Sequence, residues 1–270
     1  YTINGGLALV AGTGPGAAFE TLWRDLGVLP GLKFVDCDHL ITVDGGEGRE
    51  LRFHADLDRL RAHLLELAPE DRAAIDGFVG AARVFLKHAL PVDKALELLT
   101  PVEKVRLLAK SFPLLRMLGS WKKVTIADFS RRLSNPFLRD AFFEMRALFS
   151  EDLPMAVLAM FAAVLHRKAA GYPVGGAAAL AAAVERRYVE LGGEVRYGSR
   201  VARVIVENGR AAGVRLADGS EVRADLVVSA IDGRTTLFEL LEGRYVGRRL
   251  RRIYASFPAG PSPVMVALGV

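Results

Sequence analysis

The glycines near the start of the chain have the type and spacing of a dinucleotide-binding turn. In the stretch LALVAGTGPGAAF, an apolar run is followed by Gly12-x-Gly14-x-x-Ala17 and by residues that can begin a helix. In such a turn Gly12 permits the tight bend, Gly14 lets a pyrophosphate approach the backbone, and Ala17 lets the helix pack closely. Asp36 lies about 20 residues beyond Gly16, where an acidic residue binds a ribose hydroxyl. One interpretation is therefore a nicotinamide or flavin dinucleotide site.

Two local features favour a second interpretation, in which the same glycines form an ordinary turn. The stretch KFVDCD, which would be the second strand, has few apolar residues before Asp36, whereas a buried parallel strand is a longer apolar run. Pro30 and Gly31 also interrupt the short connection expected ahead of that strand. We favour a turn beside a cofactor or substrate pocket, and a nicotinamide-dependent dehydrogenase that uses the Gly12–Ala17 turn is the alternative.

The other chemistry-bearing residues argue against several classes of site. The histidines stand apart, without the HExxH or Cys/His spacing of a metal site, and no G-x-S-x-G motif of a serine hydrolase occurs. They are His39, His54, His63, His88 and His166. The single cysteine, Cys37, cannot form an internal disulfide and is expected to be a buried thiol. We expect no metal site, and we assign no catalytic residue.

Composition predicts a folded, enzyme-sized chain. The 270 residues are 51% hydrophobic and 25% charged, which suits one large domain or two interleaved ones. The net charge of +5 is spread over 36 basic and 31 acidic residues, so we expect no nucleic acid partner. No apolar run reaches the roughly 20 residues of a membrane-spanning helix. The start, YTINGGLALV, lacks the basic region of a signal peptide and is typical of mid-protein sequence. The single cysteine fits a reducing compartment, so we expect a cytoplasmic protein, which on one interpretation is peripheral on the cytoplasmic membrane.

Turn residues and apolar spacing predict the elements that must position any site. Asp44-Gly45-Gly46 predicts a hairpin, and helical spacing runs from Asp56 to about His166. From residue 171 to 232 we predict an alanine-rich helix of about 15 residues, a short strand, a three-stranded meander and a last apolar strand, ADLVVSA. Asn208-Gly209 and Asp218-Gly219 are the expected meander turns.

The segment of residues 171–232 resembles the phytoene desaturase-like, carotenoid dehydrogenase-type branch of the FAD-dependent amine oxidase superfamily. The motifs that carry the resemblance are Gly175-Gly176, Gly192-Gly193-Glu194, Val201-Ala202-Arg203-Val204-Ile205, Gly209 through Gly213-Val214, and Ala224-Asp225 through Val227-Val228-Ser229. One departure is Ile231-Asp232-Gly233, where many relatives have Asp-Pro. Gly12 stands about one β-α-β unit closer to ADLVVSA than the family's fingerprint does, so the resemblance implies an internal fragment of a longer protein.

The resemblance implies a mixed α/β fold that is part of a two-domain flavoprotein. In it, a helical and mixed-sheet substrate domain is inserted into a Rossmann-like FAD domain. The expected segments are residues 1–55, a glycine turn and hairpin bordering both domains; 56–170, the helical substrate or lid domain; 171–235, a portion of the FAD domain; and 236–270, the return towards the substrate domain.

The resemblance also implies the function, an FAD-dependent oxidoreductase acting on a hydrophobic polyene by desaturation, saturation or isomerisation. This fragment alone is expected to be inactive and to bind FAD weakly or not at all. The expected cofactor contacts are Val201, Ser229, Ala230, Gly175, Gly176, Pro173, Gly5 and Gly6. Unpaired strand edges would allow homo-oligomers.

A basic and apolar stretch, PVEKVRLLAKSFPLLRMLGSWKKV, covers residues 101–124. Such a helix can lie in a membrane interface, with its apolar face among acyl chains and its basic residues at head groups. The membrane contacts expected on this interpretation are Lys104, Lys110, Phe112, Leu115 and Trp121. The second interpretation is a lid helix that packs on the core and keeps a solvated basic side. A non-enzymatic, membrane-surface binding module is accordingly a further alternative for the whole chain.

Overall fold

The computed structural model describes residues 9–17, 19–88, 96–145 and 153–256. The chain divides into two compact units, one before and one after the boundary between Gly192 and Gly193. The fold is mixed α/β.

A small antiparallel sheet joins the two ends of the first unit. Its strands are β1 (Val10–Ala11), β2 (Phe34–Asp36) and β5 (Ala170–Pro173), in the order β1-β5-β2. The short helix α1 (Glu20–Asp25) connects β1 to β2, and α8 (Gly176–Glu190) follows β5. Gly171 lies in the middle of this sheet, where a Cβ atom would come within 3.0 Å of the Cβ of Phe34. A side chain there would be crowded by the neighbouring strand β2 of the same sheet.

The expected hairpin is confirmed. Strands β3 (His39–Asp44) and β4 (Glu50–His54) pair antiparallel. The carboxylate of Asp44 accepts a 2.8 Å hydrogen bond from the N–H of Gly46, which fixes the start of the turn. Local turn chemistry therefore sets this element, as the sequence predicts.

The helical region from Asp56 to His166 is also confirmed. Its helices are α2 (Leu57–Leu67), α3 (Arg72–Lys87), α4 (Pro101–Trp121), α5 (Ile126–Ser130), α6 (Pro136–Glu144) and α7 (Met155–His166), with 3-10 turns at Pro69–Asp71 and Leu96–Leu98. Their apolar faces meet in one core with β4, where Phe53 and Phe78 contact edge to face at 5.9 Å. Each fully buried side chain of this size contributes roughly 1.5–3 kcal/mol to folding. The core therefore holds the hairpin and the helices together.

A buried carboxylate connects two of these helices. Asp71, which lies before α3, accepts hydrogen bonds from the backbone N–H groups of Ser134 and Asn135 at 2.7 and 2.9 Å. The side chain of Asn135 accepts from the N–H of Leu138 and thereby caps α6. The pair fixes the start of α6 against the start of α3.

The second unit contains the predicted meander. Strands β6 (Val201–Glu207), β7 (Arg210–Leu216) and β8 (Glu221–Arg223) pair antiparallel in sequence order, with turns at Asn208-Gly209 and Asp218-Gly219. A π-helical segment (Thr235–Leu240) and helix α9 (Arg248–Ser256) follow.

Two expected strands are absent from the described part of the second unit. The residues after Gly192-Gly193 form no short strand, and residues 224–232, which include ADLVVSA, are not a strand. The ladder ends where the N–H of Ala224 donates to the carbonyl of Ala212. Leu226 and Val228 beyond it are 77% and 80% exposed. An apolar strand needs a neighbouring strand for its backbone groups, and no described strand provides one here.

Candidate functional site

The glycines of the opening turn pack against the protein's own backbone. The N–H of Gly12 donates a 2.6 Å hydrogen bond to the carbonyl of Ala169. A Cβ atom on Gly14 would lie 2.5 Å from the carbonyl oxygen of Lys168. Gly12 has a φ of +83°, a conformation that favours glycine. The close approach that these glycines permit is thus made by residues 168–169.

The positive N-terminal end of α1 already faces a carboxylate of the same chain. Oε2 of Glu20 accepts a 2.6 Å hydrogen bond from the N–H of Gly16, and Oε1 pairs with Arg24 at 2.7 Å. These contacts, first the Arg24 hydrogen bond and then the Gly16 N–H, lower the pKa of Glu20. A carboxylate therefore occupies the position where a dinucleotide turn would present its N–H groups to a phosphate.

The strand arrangement also disagrees with the nicotinamide alternative. That alternative needs a parallel β-α-β unit ending at Asp36. Both β1 and β2 instead pair antiparallel with β5, which lies between them. Among the described residues, the structure supports the turn interpretation of Gly12–Ala17.

A second glycine turn joins β5 to α8 and leaves the start of that helix without a side-chain cap. The strand ends at Pro173, and Gly175 is the N-cap of α8 with a φ of +89°. A Cβ atom on Gly175 would lie 2.8 Å from the Cβ of Ala179. No side chain caps the helix, and its first turn contains no acidic residue. The positive end of the helix dipole and the first N–H groups at Gly176 therefore suit an anionic group such as a phosphate.

Three of the other expected cofactor contacts lie in the second unit. Val201 begins β6, half-buried and opposite Leu216. Ser229 and Ala230 are exposed, and the hydroxyl of Ser229 lies 2.8 Å from that of Thr236. Asp232 accepts from the N–H of Thr235, and this hydrogen bond lowers its pKa.

The expected contacts therefore fall into two groups. Pro173, Gly175 and Gly176 are adjacent in the first unit, and Val201, Ser229 and Ala230 lie in the second. Gly5 and Gly6 lie outside the described residues.

The structure brings together three histidines that the sequence analysis treated as separate, so that expectation was wrong for them. His39 is opposite His54 across the hairpin, and the rings of His54 and His63 are 5.4 Å apart. Burial first, and then the nearby charges of Arg59 and His63, lower the pKa of His54. The hairpin register would have revealed the first pair. Over the described ranges, no group of three or more histidine, cysteine or acidic residues is arranged to hold a metal ion.

Cys37 is not an activated nucleophile. It is half-buried, and burial together with the carboxylates of Asp36 and Asp38 raises the pKa of its thiol. The thiolate is the reactive form, so this environment disfavours nucleophilic chemistry.

Helix α4 exposes most of the residues expected to contact a membrane. Lys104, Lys110, Phe112 and Leu115 are exposed. Trp121 does not belong to that surface, because it packs against the core with its ring 6.0 Å from the ring of Phe129. No helix in the described part of the chain is both long and apolar enough to span a bilayer.

Comparison with known proteins places the chain in a family. The family model described as flavin containing amine oxidoreductase matches residues 5–262. The prolycopene isomerase of Arabidopsis thaliana chloroplasts is 27% identical over 82% of this chain and 38% of its own length. The neurosporene-forming phytoene desaturase of Rhodobacter capsulatus is 28% identical over 83% of this chain and 43% of its own length. The chain thus spans about two fifths of these relatives.

A solved structure shares the fold. The crystal structure of an oxidoreductase from Methanosarcina mazei superposes with a TM-score of 0.53 at 18% identity, covering 93% of this chain and 52% of that protein. With the family match across residues 5–262, these similarities identify the chain as a member of the flavin-containing amine oxidoreductase family, in its carotenoid desaturase-like branch.

Proposed function

We propose that this chain is part of an FAD-dependent oxidoreductase that acts on a hydrophobic polyene of the carotenoid type. The observation that carries the proposal is the family match across residues 5–262, together with relatives named as phytoene desaturases and prolycopene isomerases. Desaturation, saturation and isomerisation of a polyene are all compatible with this assignment.

The residues of the β5–α8 turn fit one part of FAD. In our proposal the uncapped N-terminus of α8 binds a phosphate oxygen through the N–H groups that follow Gly175. Gly176 would supply the first of these N–H groups, and Pro173 ends the strand that leads into the turn. When bound, FAD supplies hydride transfer to or from carbon, and the protein supplies binding, orientation and exclusion of water.

Val201, Ser229 and Ala230, which lie in the second unit, are further expected cofactor contacts in this proposal. The backbone of Val201 at the start of β6 offers a donor and an acceptor for the adenine ring, and Ser229 and Ala230 line the cofactor from the segment before Asp232. The same proposal assigns residues 171–235 to an FAD domain and residues 56–170 to a substrate domain inserted into it, bordered by residues 1–55 and 236–270. Gly5 and Gly6 would approach the cofactor through their backbone.

The visible spectrum of the full-length protein, as purified, tests the proposal. We expect flavin bands at roughly 370 and 450 nm, where protein-bound oxidised flavins absorb. A folded full-length protein that is colourless and takes up no added FAD would overturn it.

The 270-residue chain is the informative comparison in that experiment. Because it spans about two fifths of its relatives, we propose that it binds FAD more weakly than the full-length protein and is inactive by itself. Titration of both proteins with FAD, followed by flavin fluorescence, measures the difference. Equal affinity would show that the 270-residue chain already contains the whole site.

A further inference from the structure

Helix α9 (Arg248–Ser256) lies in a strongly basic segment of the chain. No aspartate or glutamate occurs from residue 243 to residue 270. The positions from 244 to 252 instead hold five arginines and no lysine: Arg244, Arg248, Arg249, Arg251 and Arg252. None of the residues of α9 is buried. The helix therefore presents positive charge to solvent, with no opposite charge on the helix itself.

One side of α9 packs against the π-helical segment and fixes the orientation of the helix. The guanidinium of Arg251 donates hydrogen bonds to the carbonyls of Gly243 and Val246, and its carbon lies 5.9 Å from the centre of the Phe238 ring. The ring of Tyr254 meets the same ring edge to face, with 5.5 Å between the two ring centres. Arg251 is thus a structural residue, and the opposite side of the helix faces solvent.

The solvent side of α9 carries three arginines, Arg248, Arg249 and Arg252, which we call the α9 arginine face. Arg252 follows Arg248 by four residues and Arg249 by three, so the three side chains are neighbours on the helix surface. With about 3.6 residues per turn, they fall within roughly a third of the helix circumference. All three are exposed, and none forms an ion pair with any residue that the structure describes.

Several carboxylates of the second unit form ion pairs with other arginines. Glu242 pairs with Arg203 at 3.3 Å and with Arg244 at 2.7 Å. Glu207 pairs with Arg223 at 2.6 Å. The unit thus supplies partners to other arginines, whereas the α9 arginine face has no acidic partner in the described part of the chain.

The α9 arginine face is unfavourable in the free protein. Like charges three and four residues apart on a helix repel each other and destabilise it. Carboxylates placed opposite the three guanidinium groups would remove this repulsion, and each guanidinium can bind both oxygens of a carboxylate through two parallel N–H groups. Arginine rather than lysine at all three positions favours such a two-point contact.

Two apolar side chains border the α9 arginine face. Ile253 follows Arg249 by four residues and Leu250 by three, and Leu250 and Ile253 are 42% and 40% exposed. Arginine beside apolar side chains is typical of the central part of a protein–protein interface. The phosphate backbone of a nucleic acid offers these two side chains no apolar partner, and two half-exposed side chains are too small a surface to hold a helix among acyl chains. The surface therefore favours a protein partner.

We propose that the α9 arginine face is a docking surface for an acidic helix of another protein, in which aspartates or glutamates recur every three to four residues. Carboxylates on such a helix have the same spacing as the three arginines. Leu250 and Ile253 would contact apolar side chains that lie beside those carboxylates. The inference goes beyond the proposed redox chemistry, because it depends on the charge of α9 and not on a bound flavin.

A synthetic acidic helix tests the surface directly. The probe is a fluorescently labelled helical peptide in which glutamates recur every three to four residues, and the matched peptide has glutamine at the same positions. Fluorescence anisotropy measures the binding of each peptide to the full-length protein. We expect the glutamate peptide to bind at least about tenfold more tightly, with a difference that shrinks as ionic strength rises. Equal binding of the two peptides would overturn the proposal without any variant.

Matched pairs of arginine variants show where the peptide binds. Arg248→Gln with Arg252→Gln should weaken binding of the glutamate peptide by at least about tenfold, because two of the three guanidinium contacts are lost. The control is Arg200→Gln with Arg210→Gln, which removes the same charge from exposed positions before β6 and at the start of β7. It should leave binding within about twofold, since exposed charges distant from a contact are screened by salt. Equal losses in the two variants would overturn the proposal, because a general loss of positive charge would then explain both.

Other anionic partners are tested on the same samples, with circular dichroism confirming the fold of each variant. The probes are a short DNA duplex and vesicles of phosphatidylcholine and phosphatidylglycerol in equal parts. Tighter binding of the duplex or the vesicles than of the peptide, lost in the Arg248→Gln, Arg252→Gln variant, would overturn the proposal, because the face would then serve a nucleic acid or a lipid surface. Flavin absorbance is recorded as well. Its absence would count against the proposed oxidoreductase and would leave the result for α9 unaffected.

Discussion

The carboxylate of Glu20 accepts a 2.6 Å hydrogen bond from the backbone N–H of Gly16, four residues earlier. This contact decides what the first glycine turn does, because the carboxylate supplies the negative charge that a bound pyrophosphate would supply in a dinucleotide turn. The salt bridge from Arg24 holds Glu20 in that position. Among the described glycine turns, the one before α8 is the better candidate for the cofactor.

The role of Gly14 can be tested by adding one methyl group. Gly14→Ala places a Cβ atom against the carbonyl of Lys168, so we expect a loss of about 1–3 kcal/mol in the free energy of unfolding. Urea denaturation measures this change in the free energy of unfolding. The control is Gly80→Ala on α3, where a Cβ atom meets open space and helix propensity should raise stability by about 0.5–1 kcal/mol. Flavin loss from a Gly14→Ala variant of unchanged stability would favour the dinucleotide interpretation instead.

The hydrogen bonds of the buried Asp71 carboxylate lead to a second prediction about stability. Asp71→Ala leaves the N–H groups of Ser134 and Asn135 without their acceptor, which should cost about 2–3 kcal/mol of unfolding free energy. Thermal unfolding of the variant, compared with Asp140→Ala, provides the measurement. Asp140 is exposed, and the ion pair that it makes is a loose one, with 3.6 Å between its Oδ1 and Nε of Arg139. Its removal should therefore change stability by less than about 0.5 kcal/mol. Equal effects at the two positions would contradict the assigned role of Asp71.

The local sequence was sufficient to predict the elements whose conformation depends on residues nearby in the chain. The Asn208-Gly209 and Asp218-Gly219 pairs marked the meander turns, and apolar spacing marked the helices, including the one that forms as Pro101–Trp121. These features follow from backbone preferences and side-chain periodicity within a few residues. They could be derived without knowledge of the tertiary fold.

The contacts that could not be predicted from the sequence join residues that are far apart along the chain. The neighbour of Gly14 is Lys168, and the partners of Asp71 are more than 60 residues away. The apolar pattern of ADLVVSA predicted a strand, but a strand also needs a partner, which no described residue supplies. The pairing of His39 with His54 likewise depends on the hairpin register, which spacing alone does not give.

The histidine cluster predicts how stability changes with pH. The pKa of His54 lies below its ordinary value of 6.5 in the folded chain, because burial and nearby positive charges disfavour the imidazolium. The unfolded chain therefore binds a proton first as the pH falls. The stabilising contribution of neutral His54 is complete above pH 6.5 and is lost between 6.5 and the lower folded pKa.

A single substitution isolates this effect. His54→Gln should flatten the part of the stability profile just below pH 6.5. Urea denaturation at closely spaced pH values gives the profile. Identical slopes for the wild-type chain and His54→Gln would show that His54 does not control this region.

The two ends of α8 provide the sharpest test of the proposed cofactor contact. Gly175 before the helix and Gly192 after it have nearly the same φ, +89° and +88°, so alanine at either position incurs similar backbone strain. Only Gly175→Ala also places a methyl group 2.8 Å from Ala179, at the helix start where a phosphate of FAD would bind. We expect Gly175→Ala to weaken FAD binding in the full-length protein by at least about tenfold, a difference of about 1.4 kcal/mol, and Gly192→Ala to leave it within about twofold. Flavin fluorescence titration measures both constants, and unfolding curves show whether the two variants lose comparable stability. If both variants bind FAD like the wild-type protein, the turn between β5 and α8 is a structural helix cap and the cofactor phosphate binds elsewhere.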